Sequence, residues 1–307
     1  MDPTVSFTVE PSPCIGGETT IPGDKSISHR AIMLGAIAEG RSEITGFLEG
    51  DDALATLAAF RLMGVDIQKS SEGMISIEGD GLHGLSYSEL PLDLGNSGTS
   101  MRLMCGLLAG QRFNSDLIGD GSLSKRPMRR VTDPLAKMGG SVQTTPEGTP
   151  PLIISGRFGM LRGITYEMPV ASAQIKSALL LAGLYADGKT CVVEPATTRD
   201  HTERMLRRFR YPVVSEGSRI CLMGREKLVG SHVSVPGDFS SAAFLLVAGA
   251  IATNAVIEIN RVGINPTRTG ALEILRMMGA ELEIYPIESN EAEPIARIVV
   301  RNSHLNG

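Results

Sequence analysis

Hydrophobic and polar positions between residues 22 and 80 follow two different periods. Apolar residues recur every three to four positions in "ISHRAIMLGAIAEG" and in "DDALATLAAFRLMG", which is the spacing of amphipathic helices. Three shorter runs, "SEITGF", "VDIQKS" and "MISIEG", are typical of strands. The pattern predicts a module with the order helix, strand, helix, strand, strand, which begins with the turn "PGDKS" at Pro22.

The same order of elements returns from Pro236. The turn and first helix are "PGDFSSAAFLLVAGAIA", the second helix is "TRTGALEILRMMG", and Gly279 follows that helix as Gly64 follows its counterpart. Two weaker copies begin near Leu92 and Met168. The starts of the four copies are therefore roughly seventy residues apart, as in a repeat architecture.

One such module cannot bury its apolar faces alone, so the copies must pack together. We therefore predict an α/β fold built from repeated helix–strand–helix–strand–strand modules. Because the segment "YPVVSEGSRICLMGREKLVGSHVSVPGD" separates the third copy from the fourth, we expect one complete group of three modules and a second, incomplete group. The last module ends abruptly at "RNSHLNG", and we expect the second group to continue beyond it.

The first helices of the copies share polar starts but differ in charge. Gly, Ser, Asn or Asp precedes each helix, as ordinary N-capping requires. Capping does not explain the cations near the first three starts, which are Lys25, Arg30, Arg102 and Lys176. A cation there faces about half a positive charge from the helix dipole unless an anion lies between them. The fourth copy carries Phe239 and Phe244 where the first has Lys25 and Arg30, so we interpret the turn as scaffold and the cations as function.

Other charged residues near these starts are weaker candidates. Lys125 and Arg126 lie in a Gly/Ser-rich loop, and Arg199 precedes Asp200 and His201. His29 and His201 could act as acid–base groups, although a packing role is the simpler expectation for His29. Four further arginines are expected on solvated helix faces: Arg129, Arg130, Arg207 and Arg208. Two acidic residues, Asp51 and Asp52, are expected to cap the second helix rather than to bind metal.

Composition narrows the function classes. The formal net charge of −5 over 307 residues argues against a nucleic-acid surface, which is usually basic. The four cysteines are scattered without metal-ligand spacing, so we expect idle thiols in a reducing cytoplasm. We expect no secretion signal, because the first residues lack a basic region followed by an apolar run, and no apolar run is long enough to span a bilayer. Nucleotide-binding and zinc motifs are missing as well.

Four linked motifs make a specific resemblance. The segments "PGDKSISHRA", "LDLGNSGTSMR", "GDGSLSKRPM" and "PVASAQIKSALLLAGL" resemble signatures of the 5-enolpyruvylshikimate-3-phosphate (EPSP) synthase family, and the match runs in order along essentially the whole chain. The "ASAQIKS" and "TRDHTERML" segments resemble the bacterial subgroup that includes glyphosate-tolerant members.

This resemblance implies a two-domain fold with three modules in each domain. Residues 23–235 would form the complete domain, and residues 1–22 with 236–307 would form part of the second. The implied reaction transfers the enolpyruvyl group of phosphoenolpyruvate to the 5-hydroxyl of shikimate 3-phosphate and releases phosphate, without metal or cofactor. Both substrates are anionic, and two like charges 4 Å apart repel by about 4 kcal/mol at an effective dielectric constant near 20, so the cleft must be basic.

The resemblance also implies roles for individual residues. Lys25 would touch both substrates, and Ser26 and Arg30 would hold the shikimate moiety. The residues implied for shikimate 3-phosphate are Ser172, Ala173 and Gln174, with Lys176 and Arg199 assisting. The residues implied for the phosphoenolpyruvate side are Asn96, Gly98 and Arg126, with Thr99 and Arg102 shaping the helix start.

Some expectations stay open at this stage. Tolerant members often carry Ala where this chain has Gly98, so the response to glyphosate as an inhibitor cannot be read here. Further family residues, including an Asp proton acceptor, would lie beyond Gly307, so we expect the isolated chain to turn over poorly, or to need a separate C-terminal fragment.

One alternative function is that of a non-catalytic anion-binding domain. Another is a transferase acting on UDP-N-acetylglucosamine, which the absence of Cys from "GDGSLSKRPM" disfavours.

Overall fold

The computed structural model describes residues 6–10, 12, 14–288 and 292–307. In chain order its elements are β1 (Gly16–Thr20), α1 (Lys25–Ala36), β2 (Glu39–Thr45), α2 (Asp51–Leu62), β3 (Asp66–Lys69), β4 (Ile75–Asp80), β5 (Leu92–Asp93), α3 (Gly98–Ala109), β6 (Ser115–Ile118), α4 (Arg129–Lys137), β7 (Ser141–Gln143), β8 (Leu152–Ser155), β9 (Thr165–Glu167), α5 (Ala173–Gly183), β10 (Lys189–Val193), α6 (His201–Arg208), β11 (Val213–Glu216), β12 (Arg219–Met223), β13 (His232–Ser234), α7 (Phe239–Ile251), β14 (Val256–Gly263), α8 (Gly270–Met277), β15 (Glu281–Ile287) and β16 (Ile295–Arg301). Within the described ranges, no helix is long and apolar enough to cross a membrane.

Each module contains the same four-stranded sheet. The strand orders are β13-β2-β4-β3, β5-β6-β8-β7, β9-β10-β12-β11 and β1-β14-β16-β15. In each sheet the first strand pairs parallel with the second, and the remaining pairs are antiparallel. The predicted α/β fold of repeated modules is confirmed. Three of the parallel first strands, β5, β9 and β13, have only two or three residues, and runs this short carry no readable period in the sequence.

The described residues fall into two units. One unit holds residues 22–236 together with Ala292 and Glu293, and the other holds the described residues before 22, those from 237 to 288 and those from 294 onward. From the sequence, the complete domain was expected to span residues 23–235. Parallel strand β1 belongs to the sheet of β14, whereas β13 belongs to the sheet of β2, so each unit takes its first strand from a distant part of the chain.

The core of the larger unit lies around α1, α3 and α5. Nearly every residue of these three helices is buried, because a sheet and other helices cover each of them. Helices α3 and α5 approach closely at Gly106, where an added Cβ would lie 2.0 Å from the carbonyl oxygen of Ala178. The three modules therefore share one continuous apolar core.

The smaller unit has its own core under α7 and the sheet of β14. Helix α7 is apolar apart from Ser240 and Ser241, yet it buries only one face, and Phe244 is 80% exposed. The start of α7 has no Lys or Arg of its own, but Arg268 donates hydrogen bonds there to Asp238 and Ser240, so a cation lies at this helix start as well.

The cysteine prediction needs a correction. Cys191 and Cys221 face each other on β10 and β12 and form a disulfide, with Cα atoms 4.1 Å apart. Thirty positions separate them in sequence, so only the antiparallel pairing brings them together. Cys105 is a buried thiol whose pKa is raised to about 12 by burial, and Cys14 is an exposed thiol.

Candidate functional site

The N-termini of α1, α3 and α5 are capped in the same way. Asp24, Ser97 and Ser172 each accept a hydrogen bond from a backbone N–H in the first turn, at 2.9, 3.2 and 3.4 Å. Each cap satisfies one of the free N–H groups of its helix. The remaining N–H groups and the helix dipole are what favours an anion at these positions.

Two cations of α1 have different surroundings. Lys25 is about half exposed and forms an ion pair with Asp52. Arg30 is buried and donates hydrogen bonds to the carbonyl of Ser26 and to the hydroxyls of Ser177 and Thr202. Burial lowers the pKa of Arg30 to about 10, with Glu203 acting in the opposite direction. Arg30 therefore stays charged at neutral pH and ties α1 to α5 and α6.

A second cluster surrounds the start of α3. Arg126 donates a hydrogen bond to the side-chain oxygen of Asn96, and Arg102 donates to the side-chain oxygen of Gln174 at 3.0 Å. An added Cβ on Gly98 would lie 2.9 Å from Nη1 of Arg126 and 3.0 Å from Nη1 of Arg102. Two guanidinium groups therefore border the first residue of the helix, and a larger residue there would require their flexible ends to move.

Gln174 links the second and third helix starts. Its amide nitrogen donates to Oγ1 of Thr99 at 3.2 Å while its oxygen accepts from Arg102. Burial lowers the pKa of Arg102, and the charges of Arg130 and Arg126 lower it further. Neither Arg102 nor Arg126 has an ion-pair partner among the described carboxylates. The carboxylate of Asp120, which accepts a hydrogen bond of 2.7 Å from Asn96, balances part of the positive charge of this cluster.

Arg130 is exposed, as expected for a residue on a solvated helix face, but it also contacts the start of α5. Its Nη2 donates a hydrogen bond of 2.7 Å to the capping hydroxyl of Ser172. Arg129, its neighbour, does face away and donates to the carbonyl oxygen of Pro146. The sequence offered one overlooked signal, because Arg130 is a cation in the first turn of α4, where the helix dipole disfavours it.

The position of Lys176 is also a correction. The sequence placed its ammonium beside shikimate 3-phosphate, but the side chain is 1% exposed and forms ion pairs of 3.1 and 2.7 Å with Glu194 and Glu203. Burial raises the pKa of Glu203, while the charge of Lys176 opposes that shift. Arg199 is exposed, and its charge helps to lower the pKa of Arg30, which places it near the start of α1.

The two histidines are both internal. His29 is fully buried, with Nδ1 2.8 Å from Oγ1 of Thr56 and 3.1 Å from Oγ of Ser100. Burial, with smaller contributions from Arg30 and Lys25, lowers the pKa of His29 to about 4, so it is neutral and holds α1 against α2 and α3. His201 contacts Glu293 through Nδ1 at 2.7 Å.

One group of potential metal ligands occurs among the described residues. Asp200, His201 and Glu293 place ligand atoms within 4.8 Å of one another. However, Nδ1 of His201 is already bonded to Glu293, and the carboxylate of Asp200 accepts a hydrogen bond from Arg204. These contacts make the cluster an ordinary polar network.

Comparisons with known proteins identify one family. The sequence profile of the family described as EPSP synthase (3-phosphoshikimate 1-carboxyvinyltransferase) matches residues 9–307. Among the similar curated proteins, the 3-phosphoshikimate 1-carboxyvinyltransferase of Alkalilimnicola ehrlichii is 57% identical over 303 residues, covering 99% of this chain and 68% of that protein. The corresponding protein of Methylococcus capsulatus is 56% identical over 306 residues, covering 100% of this chain and 70% of that protein.

A solved structure shows the same arrangement of the backbone. EPSP synthase from Acinetobacter baumannii superposes with a TM-score of 0.88 at 55% sequence identity, covering 94% of this chain and 66% of that chain. This chain therefore spans about two thirds of the length of the relatives it matches. With a matching profile over 9–307 and identities above 50%, the chain belongs to the EPSP synthase (3-phosphoshikimate 1-carboxyvinyltransferase) family.

Proposed function

We propose that the starts of α1, α3 and α5 bind shikimate 3-phosphate and phosphoenolpyruvate, and that the chain takes part in the transfer of the enolpyruvyl group between them. In that reaction the 5-hydroxyl oxygen adds to C2 of phosphoenolpyruvate, and elimination then releases inorganic phosphate. The observation that carries the proposal is the pair of guanidiniums of Arg102 and Arg126 around Gly98, which lack ion-pair partners among the described residues.

The residues divide into those that would contact substrate and those that would hold the contacting groups in place. The phosphoenolpyruvate side would comprise Asn96, Gly98, Thr99 and Arg126. The shikimate 3-phosphate side would comprise Lys25, Ser26, Ser172, Ala173, Gln174 and Arg199. Arg30 already donates three hydrogen bonds to protein acceptors. Only its other N–H groups would therefore be available to the shikimate carboxylate. Lys176 would not contact substrate; its buried ion pair with Glu203 would hold α5 against α6.

Lys25 is the residue we assign to the reacting centre. It is half exposed, and its partner Asp52 lies in the first turn of α2. An incoming anion would share the ammonium with Asp52, so binding would not leave the cation unpaired at any stage. The charge of Lys25 would then be opposite the carboxylate and phosphate groups that the reaction brings together.

Three finer expectations stay predictions. Membership of the glyphosate-tolerant subgroup needs an inhibition measurement. A separate C-terminal fragment as partner needs a mixing experiment in which added fragment restores phosphate release. The cytoplasmic location stays a prediction too, and the Cys191–Cys221 bond removes one observation on which it was based.

The proposed function is tested by titration calorimetry with the chain as it stands. We expect shikimate 3-phosphate to bind with an affinity that falls as salt concentration rises, and UDP-N-acetylglucosamine not to bind. Tighter binding in the presence of phosphoenolpyruvate would support an assembled enzyme, whereas equal binding would support the anion-binding alternative. Absence of binding by shikimate 3-phosphate at low salt would refute the proposal. Steady phosphate release with both substrates would contradict the expectation of poor turnover.

A further inference from the structure

The disulfide between Cys191 and Cys221 lies on the outward-facing side of its sheet. Successive side chains of a strand point to opposite faces, and Val192, Ile220 and Leu222, which alternate with the two cysteines, belong to the core of the larger unit. The cysteines therefore point away from that core. The residues that share their face are exposed or half-buried: Lys189, Val193, Arg219, Met223, Thr165 and Val214. Surface side chains, and not the packed interior, separate the two sulfur atoms from solvent.

The side chain of Arg219 extends over the strand that carries Cys191. Its Nη2 lies 3.4 Å from Oγ1 of Thr165, although Arg219 is on β12, Thr165 is on β9, and β10 runs between these two strands. Thr165 is the register partner of Cys191, so the guanidinium passes close to that cysteine. This cover explains why Cys191 is only 1% exposed and Cys221 only 5% exposed on an outer face. The contact that holds the cover in place is long and exposed, so it is weak.

The fold does not depend on this bond. All four sheets have the same arrangement of strands, but among the described strands two cysteines face each other only on β10 and β12. In the sheet of β2 and β4, an outward-facing pair is Arg41 and Glu78, which are exposed and 3.9 Å apart. Backbone pairing also joins β10 to β12, so two reduced thiols would remain opposite each other. The bond can therefore break and form again without a rearrangement of the sheet.

The cross-linked strands also hold a residue of the interior. Glu194 directly follows β10, and its N–H donates a hydrogen bond of 2.9 Å to the carbonyl oxygen of Ser218, in the turn before β12. Its carboxylate lies 3.1 Å from Nζ of the buried Lys176 on α5. The disulfide is three positions from both Glu194 and Ser218, so it stabilises the strand pairing on which the position of Glu194 depends.

We propose that Cys191 and Cys221 are a reversible thiol–disulfide modification site, which exchanges with dithiols and small disulfides at the surface and sets the stability of the larger unit. This inference does not rest on the proposed function. It assigns the bond a state that changes with the redox conditions, instead of a permanent structural role.

The exchange proceeds in two displacements. A thiolate of a dithiol attacks Sγ of Cys221, the more exposed of the two cysteines, and the Sγ–Sγ bond breaks. Cys191 leaves as a thiolate, which the nearby charge of Arg219 favours, and then takes up a proton. The second thiol of the reductant displaces Cys221 from the mixed disulfide, so the protein gains two thiols and the reductant leaves as a cyclic disulfide. In the reverse direction, a small disulfide oxidises the pair and is released as two thiols.

The first test detects the exchange itself. It uses the Cys14→Ser chain, because the exposed thiol of Cys14 would react independently. The folded chain is treated with oxidised glutathione or with dithiothreitol, quenched with acid, unfolded and alkylated. Peptide mass mapping should find Cys191 joined to Cys221 after oxidation, with Cys105 alone alkylated. After dithiothreitol all three remaining cysteines should be alkylated.

The second test measures what the bond stabilises. Thirty positions separate the two cysteines, and loss of a cross-link that closes such a loop should lower the midpoint of thermal unfolding by about 5–10 °C. Hydrogen exchange should become faster in β10 and β12 and at the N–H of Glu194. It should stay unchanged in β6 and β8, the corresponding strands of the second module.

Cys221→Ala and Cys105→Ala are the matched variants, both in the Cys14→Ser chain. Each is compared with itself in the presence and absence of dithiothreitol, so that any effect of the substitution on the fold cancels. The shift in midpoint should disappear in Cys221→Ala and persist in Cys105→Ala, since Cys105 is a buried free thiol outside the pair. If Cys221→Ala does not fold, Cys191→Ser decides the question by the same criterion.

Several results would overturn the inference. It is wrong if oxidised glutathione produces no linked peptide, or if the oxidised and reduced chains unfold at the same temperature. A bond that dithiothreitol reduces only after unfolding would be a permanent structural link, which also contradicts it. A shift that persists in Cys221→Ala would have to arise from another group, and the pair would lose its assigned role.

Discussion

Nε of Arg30 donates a hydrogen bond of 2.7 Å to Oγ1 of Thr202, across 172 positions of sequence. The bond joins the second turn of α1 to the first turn of α6, and both residues are buried. Oγ of Ser177 on α5 lies 2.7 Å from the same threonine oxygen and accepts from Nη2 of Arg30. Three helices from two modules therefore meet at one guanidinium, which makes Arg30 a structural centre of the candidate site.

Thr202→Val should destabilise the larger unit. The change removes an acceptor from a buried, charged donor while keeping the shape of the side chain, and leaving such a donor unsatisfied costs about 1–3 kcal/mol. Urea unfolding would show this as a lower midpoint with an unchanged slope. Thr165→Val is the control, since its exposed hydroxyl makes only a 3.4 Å contact with Arg219. Equal midpoints for the two variants would contradict the prediction.

The stability of the protein should fall in acid because of His29. Its pKa is lowered from 6.5 to about 4 by burial in the folded state, so the unfolded chain binds a proton more readily between those values. The contribution of His29 is therefore fully present above pH 6.5 and is lost as the pH falls towards 4, a change of about 3 kcal/mol.

His29→Gln should flatten the dependence of unfolding free energy on pH between 6.5 and 4. The amide of Gln cannot be protonated in that range, although its loss of contacts lowers stability at every pH. His304→Gln replaces an exposed histidine and should leave the slope unchanged. An unaltered slope in His29→Gln would show that other groups cause the acid dependence.

Gly98→Ala should lower the affinity for phosphoenolpyruvate while leaving the fold intact. The added methyl would come within 2.9 Å of Arg126 and 3.0 Å of Arg102, and the flexible ends of those side chains would move. With shikimate 3-phosphate at saturation, we expect phosphoenolpyruvate affinity to fall about tenfold, equivalent to about 1.4 kcal/mol. Gly121→Ala serves as the control, because nothing lies within 4 Å of its added Cβ. Unchanged affinity in Gly98→Ala would remove Gly98 from the site.

Lys25→Met should weaken shikimate 3-phosphate binding and reduce its dependence on salt. The variant removes a charge from the start of α1 while retaining most of the side-chain volume. Lys69→Met is closely matched, because Lys69 is 45% exposed against 46% for Lys25 and is likewise paired with a carboxylate, that of Glu49. Calorimetry at two salt concentrations should separate the two variants, and identical affinities would exclude Lys25 from the contact.

Lys176→Met should lower the free energy of unfolding without a selective effect on ligand binding. Removal of the ammonium leaves Glu194 and Glu203 buried without their cation, and breaking a buried pair in this way costs about 3–5 kcal/mol. Adding Glu203→Gln should recover part of that loss, because the double variant buries one charge fewer. Full stability of the single variant would show that water reaches the glutamates.

The site could be predicted only in part from the sequence. Asn96, Gly98, Arg126 and Gln174 come together as the motifs suggested, because each lies within a few residues of a helix start. Lys176 was misplaced, because the carboxylates that surround it lie 18 and 27 positions further along the chain. The contact of Arg130 with Ser172 was not predicted, because it spans 42 positions and joins two modules.

The sequence by itself determined the local features: the order of helices and strands, the capping residues of α1, α3, α5 and α7, the repeat, and the presence of cations at three of the four first helices. These depend on periodicity and on neighbours within one helical turn. The expected caps Asp51 and Asp52 lie inside the first turn of α2 instead and make no side-chain cap.

Only the tertiary structure decided which cations form buried ion pairs, as Lys176 does, and which remain at the surface, as Arg130 does. It also decided which sheets β1 and β13 join, and that Cys191 forms a disulfide with Cys221. The physical reason is that burial and long-range pairing follow from packing the modules together, and no local pattern carries that information.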